Sequence, residues 1–265
     1  MMAERAPRND YAEVNGLRLY YEIHGDGAPL VLLHGGVVGI LMFGPTLPAL
    51  AESRQVIAVE LQGHGRTADS DRPLSFEAMA DDIAGLLAHL DISEADILGY
   101  SLGGGVALQL AIRHPEVVRR LVIVAAPAKH AGWFPEVRED FARMDAASAA
   151  PMKHSPLAEI YPDLDWEALF TKLGALLSQD YDWSQQVAAF SMPVLLVYAD
   201  ADAVTPSHII EFYRLLGGGQ RDAGLDGSGR SRNQLAILPG RTHYDVITAP
   251  LLPTVVTAFL DAPLP

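Results

Sequence analysis

Six short runs of this chain are apolar on both alternations: PLVLLHG (29–35), QVIAVE (55–60), ADILGY (95–100), RLVIVAA (120–126), PVLLVYA (193–199) and LAILPG (235–240). A strand with two apolar faces must be covered on both of them, which is the condition of a parallel sheet between two layers of helices. The opening YAEVNGLRLYYEIHG is different: Asn15–Gly16 between two strand-like runs marks an antiparallel hairpin at the sheet edge. Helical stripes fill the intervals. Ser75 caps a segment with apolar residues at Phe76, Met79, Ala80, Ile83, Leu86, Leu87 and Leu90. Ser207 opens SHIIEFYRLLGGG, which stops at Gly217. The alternation predicts an α/β fold with a doubly wound, mostly parallel sheet, whose ligands bind beyond the carboxyl ends of the strands.

Two segments break the alternation. Residues 129–192 turn rich in alanine, acids and scattered aromatics, and contain one helical stripe at Trp166, Leu169, Phe170, Leu173, Leu176 and Leu177. They follow the carboxyl end of a strand, so they are expected to hang over the active face as a cap on a core made of 1–128 and 193–265. Residues 217–234, GGGQRDAGLDGSGRSRNQ, are polar and glycine-rich. They lead from a helix into the last strand, which predicts a surface loop at the opposite end of the sheet.

A chain of 265 residues that is 49% hydrophobic can bury a sizeable core as one α/β domain. It has no cysteine, which excludes disulfides, Cys-ligated metals and thiol nucleophiles. The first residues lack an apolar leader core and no run approaches the ~20 apolar residues of a membrane span, so the cytoplasm is the expected compartment. The net charge of −14 opposes nucleic acid and anionic membranes as partners. A monomer and a homodimer are both compatible with it.

The chemistry centres on ILGYSLGGG. Gly99-Tyr100-Ser101-Leu102-Gly103 matches Gly-x-Ser-x-Gly, and it lies where a strand gives way to a helix. In that setting the glycines permit a turn too sharp for a Cβ, and the turn lifts the serine hydroxyl clear of the sheet as a nucleophile. A phosphate-binding turn would require Gly-x-x-x-x-Gly-Lys or Gly-x-Gly-x-x-Gly, and neither is present. A serine needs a base. Of nine histidines, His243 in LPGRTHYDV stands just past the last strand's carboxyl end. His34 and His64 sit in glycine turns that an imidazole braces, and the others have no motif around them. A carboxylate to hold the base can come from Asp200 or Asp202 in YADADAVTP, Asp202 lying further into the loop.

Four motifs in order, LLHGG, GYSLGG, YADADAVTP and LPGRTHYDV, make the chain resemble the α/β-hydrolases from about Tyr11 to Asp261. The resemblance implies Ser101 as nucleophile, Asp202 as acid, His243 as base, and an oxyanion hole from the backbone N–H groups of Gly36 and Leu102. It implies a cofactor-free enzyme with no metal. Two departures are Ala199, where the family often has glycine, and ELQGHGRT in place of D-x-[RP]-G-x-G-x-S. A serine at the elbow sets the chain apart from the haloalkane dehalogenase and epoxide hydrolase branches, which use aspartate there. The expected reaction is hydrolysis of small to medium, mainly apolar esters or lactones through an acyl-enzyme. C–C cleavage of β-diketone-like ring-fission products and a non-catalytic receptor on the same fold are the alternatives. Trp133, Phe134, Phe141, Met144, Met152, Tyr161 and Phe170 are the candidate pocket walls, of which two or three are expected to face substrate.

Overall fold

The computed structural model describes residues 7–263. The opening residues 1–6, part of the segment read as lacking a leader, lie outside that range. Eight strands form one sheet: β1 (Arg8–Val14), β2 (Leu17–His24), β3 (Ala28–Leu33), β4 (Arg54–Val59), β5 (Ala95–Tyr100), β6 (Val118–Val124), β7 (Val194–Ala201) and β8 (Gln234–Thr242). Their order across the sheet is β1-β2-β4-β3-β5-β6-β7-β8. The hairpin β1–β2 turns at Asn15 and Gly16, both with positive φ (48° and 79°), and pairs antiparallel with β4. From β4 to β8 every pairing is parallel. The connections diverge between β3 and β5, and a crevice opens there at the carboxyl ends of the strands.

The doubly apolar runs are buried as their pattern requires. In β3, Val31 and Leu33 pack into one core and Leu30 and Leu32 into the other. In β6, Leu121 and Ile123 divide from Val122 and Val124 in the same way. The first core lies under the helices Phe76–His89 and Leu102–Arg113, the second under Leu252–Leu260. The last run departs from this rule. β8 is an edge strand with Ile237 45% exposed and Leu238 buried, so its apolar content reports one covered face and not two.

Ser75 caps its helix by accepting the Ala78 N–H at 3.0 Å. At the helix Pro206–Leu215 the cap is Thr205, which accepts from the His208 N–H, and Ser207 already lies inside the first turn. Proline at the first helical position makes this shift, because its missing N–H is tolerated there. Residues 129–192 fold into short helices, chiefly Pro135–Arg143 and Trp166–Leu177, between β6 and β7. Two short antiparallel bridges attach the insertion, Lys129 to Asp182 within it and Trp133 to Val204 in the loop after β7. Polar ties fix its other side. The Tyr161 hydroxyl donates to the buried Glu60 carboxylate at 3.1 Å, and Lys172 reaches Asp69 at 2.6 Å and the Ser70 carbonyl at 2.5 Å. Among the described residues no helix is long and apolar enough to cross a membrane, and no cluster of His, Cys, Asp and Glu could hold a metal ion.

The two glycine-turn histidines are fully buried. His34 Nδ1–H donates to the Gly35 carbonyl at 2.6 Å, and Nε2 accepts the Leu61 N–H at 3.0 Å. Since a backbone N–H only donates, this ring must be the neutral Nδ1–H tautomer. Burial, reinforced by His64, pushes His34 down to about 3, and burial pushes His64 down to about 4. In the unfolded chain both protonate near the ordinary 6.5. Below that pH the unfolded state takes up protons that the folded state refuses, so stability is lost as pH falls from 6.5 towards 4. Thermal melts should therefore show a midpoint several degrees lower at about pH 5 than at about pH 7. A midpoint that holds or rises over this range would contradict the assignment.

Candidate active site

The backbone at Ser101 is left-handed, with φ 52° and ψ −114°. A non-glycine residue held there costs about 1–3 kcal/mol and persists only when its surroundings impose it. They do so here. A Cβ on Gly99 would lie 2.2 Å from the Gly103 carbonyl oxygen, and one on Gly103 would lie 2.2 Å from that of Leu33. Strand and helix thus approach more closely than any side chain allows. The Ser101 N–H donates to the Val124 carbonyl at 2.9 Å and the Gly103 N–H to that of His34 at 3.0 Å. The turn is therefore bound to β6 on one side and to the end of β3 on the other.

Three of the residues singled out in the sequence meet in a line. Ser101 Oγ lies 3.1 Å from His243 Nε2, and His243 Nδ1 lies 3.0 Å from Asp202 Oδ1. The Asp202 side chain is 1% exposed and also accepts the N–H groups of Ala199 (3.0 Å) and Val204 (3.2 Å). These bonds orient the carboxylate towards the imidazole. Asp200, the other candidate, does not join the line. It ends β7 exposed to solvent and accepts the N–H groups of Gly240 and Arg241 at 3.0 and 3.1 Å, so its work is to hold the end of β8. Gly36 follows β3 and Leu102 follows Ser101. Their N–H groups donate no hydrogen bond among the described residues, and both residues line the same pocket as Ser101.

That pocket has a volume of about 180 Å³. Met42, Trp133, Val137, Phe141, Met144 and Leu173 form its walls, and no Lys, Arg, Asp or Glu lines it. Of the wall residues proposed from the sequence, Trp133, Phe141 and Met144 face the pocket. Phe134, Met152, Tyr161 and Phe170 do not. Phe170 is 8% exposed and packs the insertion onto the core. Val137 carried no signal in the sequence, and Leu173 only its place in a helical stripe, which says that a residue is buried but not against what.

Tyr100 is a further contributor that sequence reasoning passed over as the variable position of the elbow. Its hydroxyl donates to the His243 carbonyl at 2.6 Å, and its ring lies 5.7 Å from the imidazole. Trp133, 4% exposed, meets the imidazole edge-on at 5.5 Å. Tyr244, 81% exposed, does so at 5.4 Å on the solvent side.

Comparison with known proteins identifies the family and the fold. A family model described as the alpha/beta hydrolase fold matches residues 28–148. The chain is 31% identical over 220 residues to the protein named carbamate hydrolase RutD of Azorhizobium caulinodans, covering 75% of this chain and 83% of that one. It is 36% identical over 209 residues to the pimeloyl-[acyl-carrier protein] methyl ester esterase of Neisseria meningitidis serogroup B, covering 68% and 77%. Among solved structures, the enol-lactonase of Burkholderia xenovorans LB400 superposes with a TM-score of 0.72 at 23% identity, over 95% of this chain and all of that one.

The Tyr100 bond leads to a specific expectation. Tyr100→Phe removes one buried hydrogen bond from the His243 loop without altering the elbow, and such a bond is worth about 0.5–1.5 kcal/mol. Turnover should fall about 2- to 10-fold, with far-UV circular dichroism unchanged. Undiminished turnover would mean that the loop is held by its other contacts.

Proposed function

We propose that this chain, which belongs to the α/β-hydrolase family, is a carboxylic-ester hydrolase that transfers a small, uncharged acyl group to Ser101. The observation that carries this reading is the line from Ser101 through His243 to Asp202, opening on an apolar pocket of about 180 Å³. That volume suits a short aliphatic or single-ring acyl group. With no ionic side chain in its walls, a charged acyl chain would be desolvated without compensation.

The steps follow from the contacts. Ser101 Oγ attacks the ester carbonyl carbon while its proton passes to His243 Nε2. Asp202 keeps the Nδ1–H tautomer and offsets the charge of the imidazolium. The carbonyl oxygen, now anionic, accepts the free N–H groups of Gly36 and Leu102, and each such donor contributes several kcal/mol to the transition state. The tetrahedral carbon then expels the alkoxide, which leaves as alcohol with the proton from His243. Water attacks the acyl-enzyme by the same route, its proton going to His243 and then to Ser101 as the acid departs. A lactone reacts identically, except that the alcohol stays tethered to the product.

Two experiments test the reading. An organophosphorus or sulfonyl fluoride reagent should add one label, on the peptide that contains Ser101, and abolish turnover. Labelling elsewhere with activity retained would refute the nucleophile. Asp202→Asn should reduce kcat by about 10⁴-fold, as the analogous change does in serine proteases. Asp200→Asn, which loosens only the end of β8, should stay within about 3-fold of the parent, in line with other surface changes. The reverse ranking would overturn the assignment of the acid. On matched substrates, faster hydrolysis of a β-diketone than of the corresponding ester would replace ester hydrolysis by C–C cleavage.

The pocket walls give a separate expectation. Phe141→Ala enlarges the space beside Ser101, whereas Phe170→Ala removes a packing contact away from it. Across an acyl-length series, Phe141→Ala should shift preference towards longer chains, each methylene being worth about 1–3 kcal/mol. Phe170→Ala should scale all rates together and lower the melting temperature.

A further inference from the structure

We infer that the glycine-rich loop 217–234 forms a binding site for a small polyanion, bearing phosphate or carboxylate groups, at the end of the sheet away from Ser101. The site is independent of the ester-hydrolysis reading. It rests on a cavity of about 660 Å³ between this loop, the helix Pro206–Leu215 and the start of β8. Tyr213, Gln220, Arg221, Arg230, Ser231 and Asn233 are among its walls, and no carboxylate lines it.

The charge pattern is the first argument. Several arginines elsewhere in this acidic chain, Arg54, Arg66, Arg72, Arg113, Arg119 and Arg241, each pair with a carboxylate, and others without one bond a backbone carbonyl, as Arg120 does that of Ala262 and Arg232 that of Phe190. Arg221 and Arg230 have no such partner among the described residues, yet both face one cavity. The loop's own acids are engaged with its backbone. Asp222 accepts the Gly224 N–H and Asp226 the Ser228 N–H, each at 3.0 Å. The N–H groups of Gly219, Gln220 and Arg221 make no hydrogen bond among the described residues, so three consecutive backbone donors stand beside an uncompensated guanidinium. Consecutive free amides and a planar guanidinium both match the oxygens of a phosphate or carboxylate.

The loop's frame is held by its own hydrogen bonds before any ligand arrives. Asn233, 5% exposed, joins the two ends of the loop: Nδ2 donates to the Leu216 carbonyl at 2.5 Å, and Oδ1 accepts the Val194 N–H at 2.8 Å. The Gly229 N–H donates to the Ala223 carbonyl at 2.8 Å and the Arg230 N–H to that of Gly227 at 3.0 Å. A Cβ on Gly218 would lie 2.2 Å from the Tyr213 ring, so glycine there lets the chain lie flat on the ring that forms one wall. A frame closed by its own hydrogen bonds loses little conformational freedom on binding. The volume is that of a small-molecule site.

Isothermal titration calorimetry of the full chain with inorganic pyrophosphate, and separately with citrate, tests the inference. Saturable binding at one site is expected, with a rise in melting temperature. Tighter binding of pyrophosphate assigns a phosphate ligand and tighter binding of citrate a polycarboxylate; both support the site. Arg221→Glu and Arg230→Glu should each weaken binding about tenfold or more while leaving ester turnover at the parent value. Neither heat nor thermal shift with either anion at millimolar concentration would overturn the proposal. So would equal affinity in the charge-reversal variants.

Discussion

The left-handed backbone at Ser101 can exist only because β5 and the helix Leu102–Arg113 come closer than a methyl group permits, and the rest of the site is arranged around that approach. Gly99 against Gly103, and Gly103 against the end of β3, set a distance that the flanking strands must respect. The Ser101 N–H is then within reach of β6, and the Gly103 N–H within reach of His34. His34 passes the constraint on: one ring nitrogen fixes Gly35, beside the free amide of Gly36, and the other holds Leu61 at the end of β4. A proton on its Nε2 would set one donor against another. The buried imidazole therefore couples the geometry of the elbow to solution pH, although it has no part in proton transfer.

A second constraint ties the insertion to the core. Glu60 is buried completely, and burial raises its carboxyl above the ordinary range although Arg66 opposes this. The Arg66 N–H and guanidinium bond it at 2.6 and 3.1 Å, and Tyr161 bonds it from the insertion. Gly39 and Gly65 leave the space the carboxylate occupies; a Cβ on Gly65 would lie 2.2 Å from its carbon. This is where the chain reads ELQGHGRT and departs from its family. The longer side chain reaches Tyr161 across the boundary with the insertion. A buried charge in such a network costs more to strip of one partner than the network contributes to stability, so its effect is to fix position.

Much of this was legible in the sequence because the signals were steric. A run apolar on both alternations has few places to lie, and five of the six lie between two cores. LAILPG misled because burial on one face of an edge strand and burial on two faces use the same residues when the strand is short. The elbow, the base and the two aspartates could be placed from strand ends alone. Asp202 and Asp200 then separate by what their carboxylates accept: Asp202 bonds its own loop and the imidazole, and Asp200 bonds the backbone of the neighbouring strand. The pocket walls were less legible. Helical periodicity marks Phe170 and Leu173 alike as buried, and both join the same core, but only Leu173 also reaches the pocket beside Gly36. Tyr100 was hidden for another reason, since its partner is a backbone carbonyl 143 residues away.

Val37 follows Gly36 with φ 82°, a region that a β-branched side chain avoids on steric grounds. The nearby turns at Gly39, Gly44, Gly63 and Gly65 reach such a backbone with glycine. Valine here borders the pocket and keeps the chain from relaxing through the conformations glycine would open to it. The loop thus behaves as a loaded spring beside the Gly36 amide: softening it would gain stability and blunt the aim of that donor. Selection for thermal robustness and selection for turnover would pull this single position in opposite directions.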